Sequence, residues 1–502
     1  MSPKGGDVYI EDVLIPYDDL THTYFKGIPV KLKAKPRLGY HFVEWEDIST
    51  NDSIVRIFNT DETITARFEP ECDIPQTIVE DAMLLKDCSP YHFDNDLVVE
   101  VGATLYCEPG VEMFFGSNVQ LKVYGSIEFV GTENDPIVIQ GEPGVYWSHI
   151  KSDNGNVHLK NVQLYSGAKA LSYINGGSVL VDNCTFYESD LNTHDFISGN
   201  SAIVVFINNV FYGNQENVKR DCIDCKSIPS GKFFGNVFYD ISDDCIDIGN
   251  NSLDISISQN EMYNCKSMAI SIGESTVADI SRNIIIHCEG GIQVHTDAVA
   301  TITNNTLYNN EVGIRCFHND DTPNTGGSAV VINTIFSQCA EDYTLQSNSQ
   351  IDITYSLSDK TIHPGTGNIY DDPVFIDQWN NDFNLHKNSP CIDSGDILSP
   401  PDPDGTRADI GALYFDHNNY ISEQINTILV YPNPFVNRFN IRLDDNSLIN
   451  DIDIYNLLGE IIYSKKDIGN NRFVVEIKSK GLLFVLVSDK NGNEYSIKLI
   501  AN

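Results

Sequence analysis

Apolar residues between positions 205 and 320 recur with two superimposed periods. The long period is roughly 22 to 27 residues, marked by Asn209, Asn236, Asn260, Asn283 and Asn305. The short period is two, as in Ile223-Asp224-Cys225, Ile246-Asp247-Ile248, Ile270-Ser271-Ile272, Ile292-Gln293-Val294 and Ile314-Arg315-Cys316. Alternation of this kind predicts a strand in each row. Rows of this length with strands and no helical period stack as coils of a parallel β-helix, about 4.8 Å apart. Stacking predicts an inward ladder of Ile223, Ile246, Ile270, Ile292 and Ile314. It predicts a second of Phe211, Phe238, Met262, Ile285 and Leu307, and a third through Ile257, Ile280 and Ile302. The recurrent asparagines fit a turn, because Asn tolerates left-handed geometry and its amide can bond to the copy above.

The pattern changes at both ends. Residues 1–70 alternate in Val30, Leu32 and Ala34 and carry an aromatic run, Gly39-Tyr-His-Phe-Val-Glu-Trp45, which predicts a small β module with Trp45 in its core. Residues 71–415 form the β-helix. Short strands from 72 to 150 serve as first coils and N-terminal cap, and 356–415 are expected to close the far end. Residues 416–426 read as a linker, and 427–502 as a β-sandwich of short strands. The fold class is therefore all-β: a right-handed parallel β-helix of the pectin-lyase-like kind between two small β domains.

Charge narrows the partners. The 502 residues hold 71 acidic and 32 basic side chains, a formal net charge of −39. That argues against nucleic acid and anionic membranes as partners, which need Lys/Arg clusters, and suits a solvated extracellular surface or calcium. No apolar run of membrane-spanning length occurs, so no transmembrane segment is expected.

The 12 cysteines fall mostly on the repeat. Cys222 with Cys245, Cys225 with Cys316, and Cys265 with Cys288 share ladder positions and read as small hydrophobes rather than zinc ligands. Cys72 and Cys88 lie outside the repeat and bracket a short segment, the spacing of a disulfide where the helix begins.

Candidate chemistry sits on the outward ladder: Asp224, Asp247, Gln293 and Arg315, with His295 on the same face. Asp221, Asp243 and Asp244 lie beside it, one coil apart. Stacking brings these carboxylates within a few ångströms, which raises pKa values or recruits a cation. Paired carboxylates also serve glycoside hydrolysis. A separate loop, Asp402-Pro-Asp-Gly-Thr with Asp409 nearby, offers oxygen ligands for Ca2+ through Asp402, Asp404 and Asp409, or else an Asx-capped turn.

Several segments resemble known families. GYHFVEW and TITARFE resemble the listerial internalin B-repeat, which implies a spacer. Arg220-Asp-Cys-Ile-Asp224 and Ser242-Asp-Asp-Cys-Ile-Asp-Ile248 resemble the NTD and DD segments of polygalacturonases. The resemblance implies catalytic roles for Asp221, Asp243 and Asp244. It breaks at Met268, where that family has histidine, and at Gln293 and His295, where it has arginine and lysine. Ile428-Leu-Val-Tyr-Pro-Asn-Pro-Phe435 and Ile454-Tyr-Asn-Leu-Leu-Gly-Glu460 closely resemble the type A C-terminal sorting domain of the type IX secretion system of Bacteroidota. That implies the type IX machinery as partner and delivery to the cell surface or medium. Such cargo needs a signal peptide; MSPKGGDVYIEDV has no apolar core, which implies a fragment or a wrongly chosen start. Finally, TYFKGIPVKLKAKP, CSPY and SDDCIDIG with KSMAISIGEST resemble the C-terminal half of spore-coat-kinase-like (CotH-like) surface proteins, without their kinase signature. Together these readings predict an exported β-helix that binds glycan or acts as an adhesion scaffold. The alternative is a hydrolase or uronate lyase of acidic polysaccharide.

Overall fold

In the computed structural model the alternating segments are strands, and the described residues contain no α-helix, only two short 3-10 turns. The structure describes all residues except 1–4, 16–20, 22, 166, 188–194, 215–219, 319–321, 323, 418–427, 432–434, 436, 444–447, 458, 493 and 502. Most of the expected linker and the proline-rich start of the tail fall outside the described residues, as does part of the loop between His318 and Thr325.

The central region is a parallel β-helix with three sheets, of twelve, twelve and thirteen strands among the described residues. Each coil from Thr77 to Ser358 contributes one strand to each sheet, each pairing with its equivalents in the neighbouring coils, and Ile369–Tyr370 adds the thirteenth strand of the third sheet. Ile223, Ile246, Ile270, Ile292 and Ile314 stand in register on the first sheet. Ile257, Ile280 and Ile302 stand on the second, and Phe211, Phe238, Met262, Ile285 and Leu307 on the third. All are buried in one continuous core. Burial of such side chains contributes roughly 1.5–3 kcal/mol each before chain entropy is counted.

The asparagine turn differs from the expectation in one respect. The left-handed residue is the one before each ladder asparagine: Asn208 (φ 55°), Gly235 (65°), Gln259 (55°), Arg282 (55°) and Asn304 (53°). The ladder asparagines themselves are fully buried. Asn236 Nδ2 donates to Phe206 O at 3.0 Å and to Asn260 Oδ1 at 2.9 Å, while its own Oδ1 accepts from the backbone and side chain of Asn209. The same bonds repeat at Asn260 and Asn283. The residue is selected because its amide donates and accepts along the axis, satisfying a buried turn. The backbone distortion falls on its variable neighbour.

At the N-terminus, strands Gly6–Ile10, Pro29–Pro36 and Ser53–Ile57 form one antiparallel sheet, and Tyr40–Trp45 with Ala66–Pro70 another. Val30, Leu32, Ala34, Trp45, Ala66 and Phe68 make their own small core. A disulfide joins Cys72, ahead of the first coil, to Cys88, within it between strands Ala82–Leu84 and Tyr91–Phe93.

The segment expected to close the far end does something else. Residues 371–415 run back along the outer face of the third sheet. Asn304 Nδ2 donates to Asp409 O at 2.8 Å, Gly411 N to Asn333 O at 2.8 Å, and Ala412 N to Thr306 Oγ1 at 3.0 Å. Phe375, Phe383, Leu385 and Ile410 cover Tyr263, Ile286, Tyr308 and Ile335. The reason is local: in these coils the outward positions of the third sheet are apolar and need a cover. Residues from 416 onward form a separate unit. Within it, a three-stranded and a four-stranded antiparallel sheet share a core of Phe439, Ile441, Ile452, Val475, Val485 and Leu499.

Candidate functional site

The first sheet carries two outward ladders on neighbouring coils. One runs Ser198, Asp224, Asp247, Ser271, Gln293, Arg315. The other occupies the fourth strand position, where Lys226 pairs in register with Gly249 and His295 with Phe317. Gly249 and Gly273 are the key to this second row. A Cβ on Gly249 would lie 2.7 Å from Glu274 Oε2 and 3.3 Å from Lys226 Nζ; one on Gly273 would lie 2.3 Å from His295 Cε1. The two bare backbones let Lys226 fold down from one side and His295 from the other. Lys226 Nζ thereby reaches Asp247 Oδ2 at 2.5 Å and Asp224 Oδ1 at 3.1 Å. His295 packs on Phe317 at 5.0 Å between centroids, and its Nδ1 lies 2.9 Å from Thr296 Oγ1.

The turn before this sheet brings up the other carboxylates. Asp221, Asp243 and Asp244 each place an oxygen within 4.8 Å of the others, as do Asp221, Asp224 and Asp247, so Asp221 joins the two groups. Burial, then Asp244 and its neighbours, push the Asp221 carboxyl up to about 9. Burial lifts Asp244 to about 7 against bonds from Ser267 and the Met268 amide, the latter at 2.8 Å. Asp224 is also raised by burial, with Lys226 opposing. Burial lowers His295, which favours neutral imidazole, with Asp247 and Glu274 pulling the other way. The site thus gathers carboxyls that burial makes harder to ionise, the Lys226 ammonium and a half-buried histidine on one face. An oxygen-rich group of this kind suits a hard cation such as calcium.

Asp221, Asp224, Asp243, Asp244 and Asp247 are therefore brought together. Gln293 follows them, its Nε2 donating to Ser271 Oγ at 2.8 Å, and Arg315 lies one coil further on. Met268 is buried, so the position where polygalacturonases have histidine is spent on packing. Lys169, Asp195 and Glu274 were missed by sequence reasoning. Lys169 lies near Asp195 and Asp224, donates to Ser198 Oγ at 2.6 Å, and is lowered by burial. It precedes the repeat's most regular coils, so no row alignment points to it.

Asp402, Asp404 and Asp409 are not brought together as ligands. Asp402 accepts from Arg282 at 3.1 Å and from the Asp409 amide at 2.7 Å. Asp409 accepts from the Asp393 and Phe415 amides, and Asp404 from the amide and hydroxyl of Thr406. These carboxylates cap backbone amides and pin the covering segment, which is the Asx-turn outcome. The reading of the repeat cysteines as hydrophobes also needs correction at one pair. Cys245 and Cys265 are disulfide-bonded, while Cys222, Cys225, Cys288 and Cys316 are buried thiols. Both paired residues sit at the same edge of one coil, close enough to bond, which a reading by ladder position does not reveal.

Residues 148–325 match the family model described as right handed beta helix region, and residues 429–502 match that described as secretion system C-terminal sorting domain. No curated protein matches. Among solved structures, the chain is similar to the crystal structure of alginate lyase from Paenibacillus sp. str. FPU-7, at 14% identity over 51% of this chain and 93% of that one, with a TM-score of 0.29. Nothing of that enzyme's reaction is transferred on such a likeness. The chain is a right-handed β-helix protein with a type IX sorting tail, which directs it through the type IX secretion machinery to the cell surface or extracellular space. No helix among the described residues is long and apolar enough to cross a membrane.

Proposed function

We propose that the exported β-helix binds polysaccharide along the outward face of its first sheet, between Ser198 and Phe317. The observation that carries this reading is the convergence of Lys226 and His295 over Gly249 and Gly273, beside two linked carboxylate groups. Flat strands with polar outward side chains and an aromatic edge at Phe317 suit a chain of hydroxyl groups. Calcium held by Asp221, Asp224 and Asp247 would let an anionic glycan approach an acidic face, with Lys226 and Arg315 as further counter-charges. The resemblance to spore-coat-kinase-like surface proteins fits a surface role and supplies no reaction.

A second reading, cleavage of an acidic polysaccharide, is favoured by one specific feature. Burial lifts the Asp244 carboxyl to about 7 and that of Asp221 to about 9, so near neutral pH Asp221 keeps its proton while Asp244 can exchange one, as acid–base chemistry needs. One experiment separates the two. The protein is run through gels containing polygalacturonate, alginate or neutral glycans, and the same mixtures are assayed for reducing ends and unsaturated products. Retention without products supports binding. Products that vanish in Asp243→Ala or Asp244→Ala, with folding unchanged, support catalysis. No retention and no product with any glycan would sink both readings.

A further inference from the structure

Lys169 and Ser198 form a pair at the edge of the first-sheet face, apart from the two carboxylate groups. Lys169 stands in the turn before strand Leu171–Ile174, and Ser198 faces outward from the next coil, on strand Ile197–Asn200. Lys169 Nζ lies 2.6 Å from Ser198 Oγ, and among the described residues Ser198 Oγ makes no other hydrogen bond. The strand that carries the serine is fixed from the core side. A Cβ on the next residue, Gly199, would strike the carbonyl and ring of the buried Tyr173, so the backbone lies close over that tyrosine.

Two lysines of this sheet have different company. Lys226 sits between two carboxylates, 2.5 Å from Asp247 Oδ2 and 3.1 Å from Asp224 Oδ1. Lys169 is also half-buried, yet among the described residues no carboxylate stands within ion-pair distance of its Nζ, and its partner is a hydroxyl. Asp195 and Asp224 are the charges that face it, from farther away; burial outweighs them and holds the amine below the ordinary lysine range. An ammonium gains little in such a place. A neutral amine at this distance can instead accept the serine proton, the arrangement by which a Ser–Lys pair activates a hydroxyl.

We infer that Lys169 and Ser198 are a base and nucleophile that cleave small acyl esters, such as an acetyl group on a sugar hydroxyl. Ser198 Oγ attacks the carbonyl carbon while Lys169 Nζ takes the hydroxyl proton. The tetrahedral intermediate collapses, the bond from the acyl carbon to the alcohol oxygen breaks, and Lys169 returns its proton to that oxygen. Water then attacks the acyl-serine, giving a proton to Lys169. The carboxylic acid leaves, and Ser198 Oγ recovers its proton from the lysine. Asn200, exposed two residues further along the same side of the strand, supplies an amide N–H for the oxyanion. The inference goes beyond glycan binding and does not depend on it, because the ester group alone is the substrate.

The full chain is assayed with p-nitrophenyl acetate at about pH 8. It is also incubated with a fluorophosphonate, which phosphonylates an activated serine and releases fluoride. Expected are saturable ester hydrolysis and a phosphonyl adduct on the peptide that carries Ser198. Both should be lost in Ser198→Ala and fall by about a hundredfold in Lys169→Met. Lys169→Arg keeps the charge and the hydrogen-bond donors but cannot act as a base. It should be as slow as Lys169→Met, whereas a lysine with a merely structural role would be rescued by it. Thermal melts check that each variant folds, and the adduct on the parent chain needs no variant at all. No adduct on Ser198 in the parent, hydrolysis unchanged in Ser198→Ala, or full activity in Lys169→Arg would each overturn the inference. Glycan retention plays no part in these readouts, so a chain that fails to hold glycan can still cleave the ester.

Discussion

Lys226 Nζ lies 2.5 Å from Asp247 Oδ2, the carboxylate of the next coil in the ladder beside its own. The contact crosses both a coil and a ladder, and it exists because Gly249 leaves the space through which the lysine stem passes. Closing that space should therefore alter the site without breaking the coil.

Gly273→Ala is the cleaner form of this test, since its new Cβ would strike the His295 ring. His295 should swing outward, and its titration by NMR should move up toward the ordinary histidine range as burial is relieved. Glycan retention should fall by about tenfold, equivalent to roughly 1.4 kcal/mol. An unchanged His295 titration would mean the ring is not held over this glycine.

Asp221 sets a pH dependence whose sign is fixed. Its folded pKa of about 9 lies above the unfolded value of about 4, so between those limits the folded state holds more protons. Stability contributed by this group is full below about pH 4 and declines as pH rises towards 9. Asp221→Asn should melt higher than the parent by about 1–2 kcal/mol at pH 8 and match it near pH 4. Thermal melts across this range check it.

Calcium should act on the same slope. A cation among Asp221, Asp224 and Asp247 replaces the proton that burial otherwise demands, so millimolar calcium should raise the melting temperature at pH 8 and have little effect at pH 4. The increment should disappear in Asp221→Asn. Calorimetric titration showing no uptake in the parent would remove the ion from the site.

The buried amide ladder predicts a large structural effect far from any chemistry. Asn236→Ala removes donors to Phe206 O and Asn260 Oδ1 and orphans the Asn209 amide, all in a dry turn. A loss of about 2–4 kcal/mol is expected by denaturant melts. Asn208→Gly, at the left-handed position before Asn209, should be close to neutral.

Thiol mapping tests the cysteine assignment. Alkylation of the unreduced, denatured chain should label eight cysteines, leaving peptides linked through Cys72–Cys88 and Cys245–Cys265. Recovery of Cys245 and Cys265 as labelled thiols would return them to the role of small hydrophobes.

What the chain determines by itself follows from its periods. A side-chain period of two and a row of about two dozen residues leave one stacking that buries Ile223, Ile246, Ile270, Ile292 and Ile314 together, and a slip of one residue would turn every one of them outward. The tail was legible for the same reason of regular short strands, and the aspartate cluster because stacking distance follows from strand spacing alone. Three-dimensional packing decided the rest. Whether Lys226 bends toward Asp247, whether Cys245 meets Cys265, and whether residues 371–415 end the helix or run along its side depend on side-chain paths and on surfaces from distant coils. Alternation along the chain carries no information about these. The turn shows the division most plainly: the sequence marks the asparagine, but only the folded coil reveals that its neighbour takes the left-handed backbone so that the amide can face inward and bond along the axis.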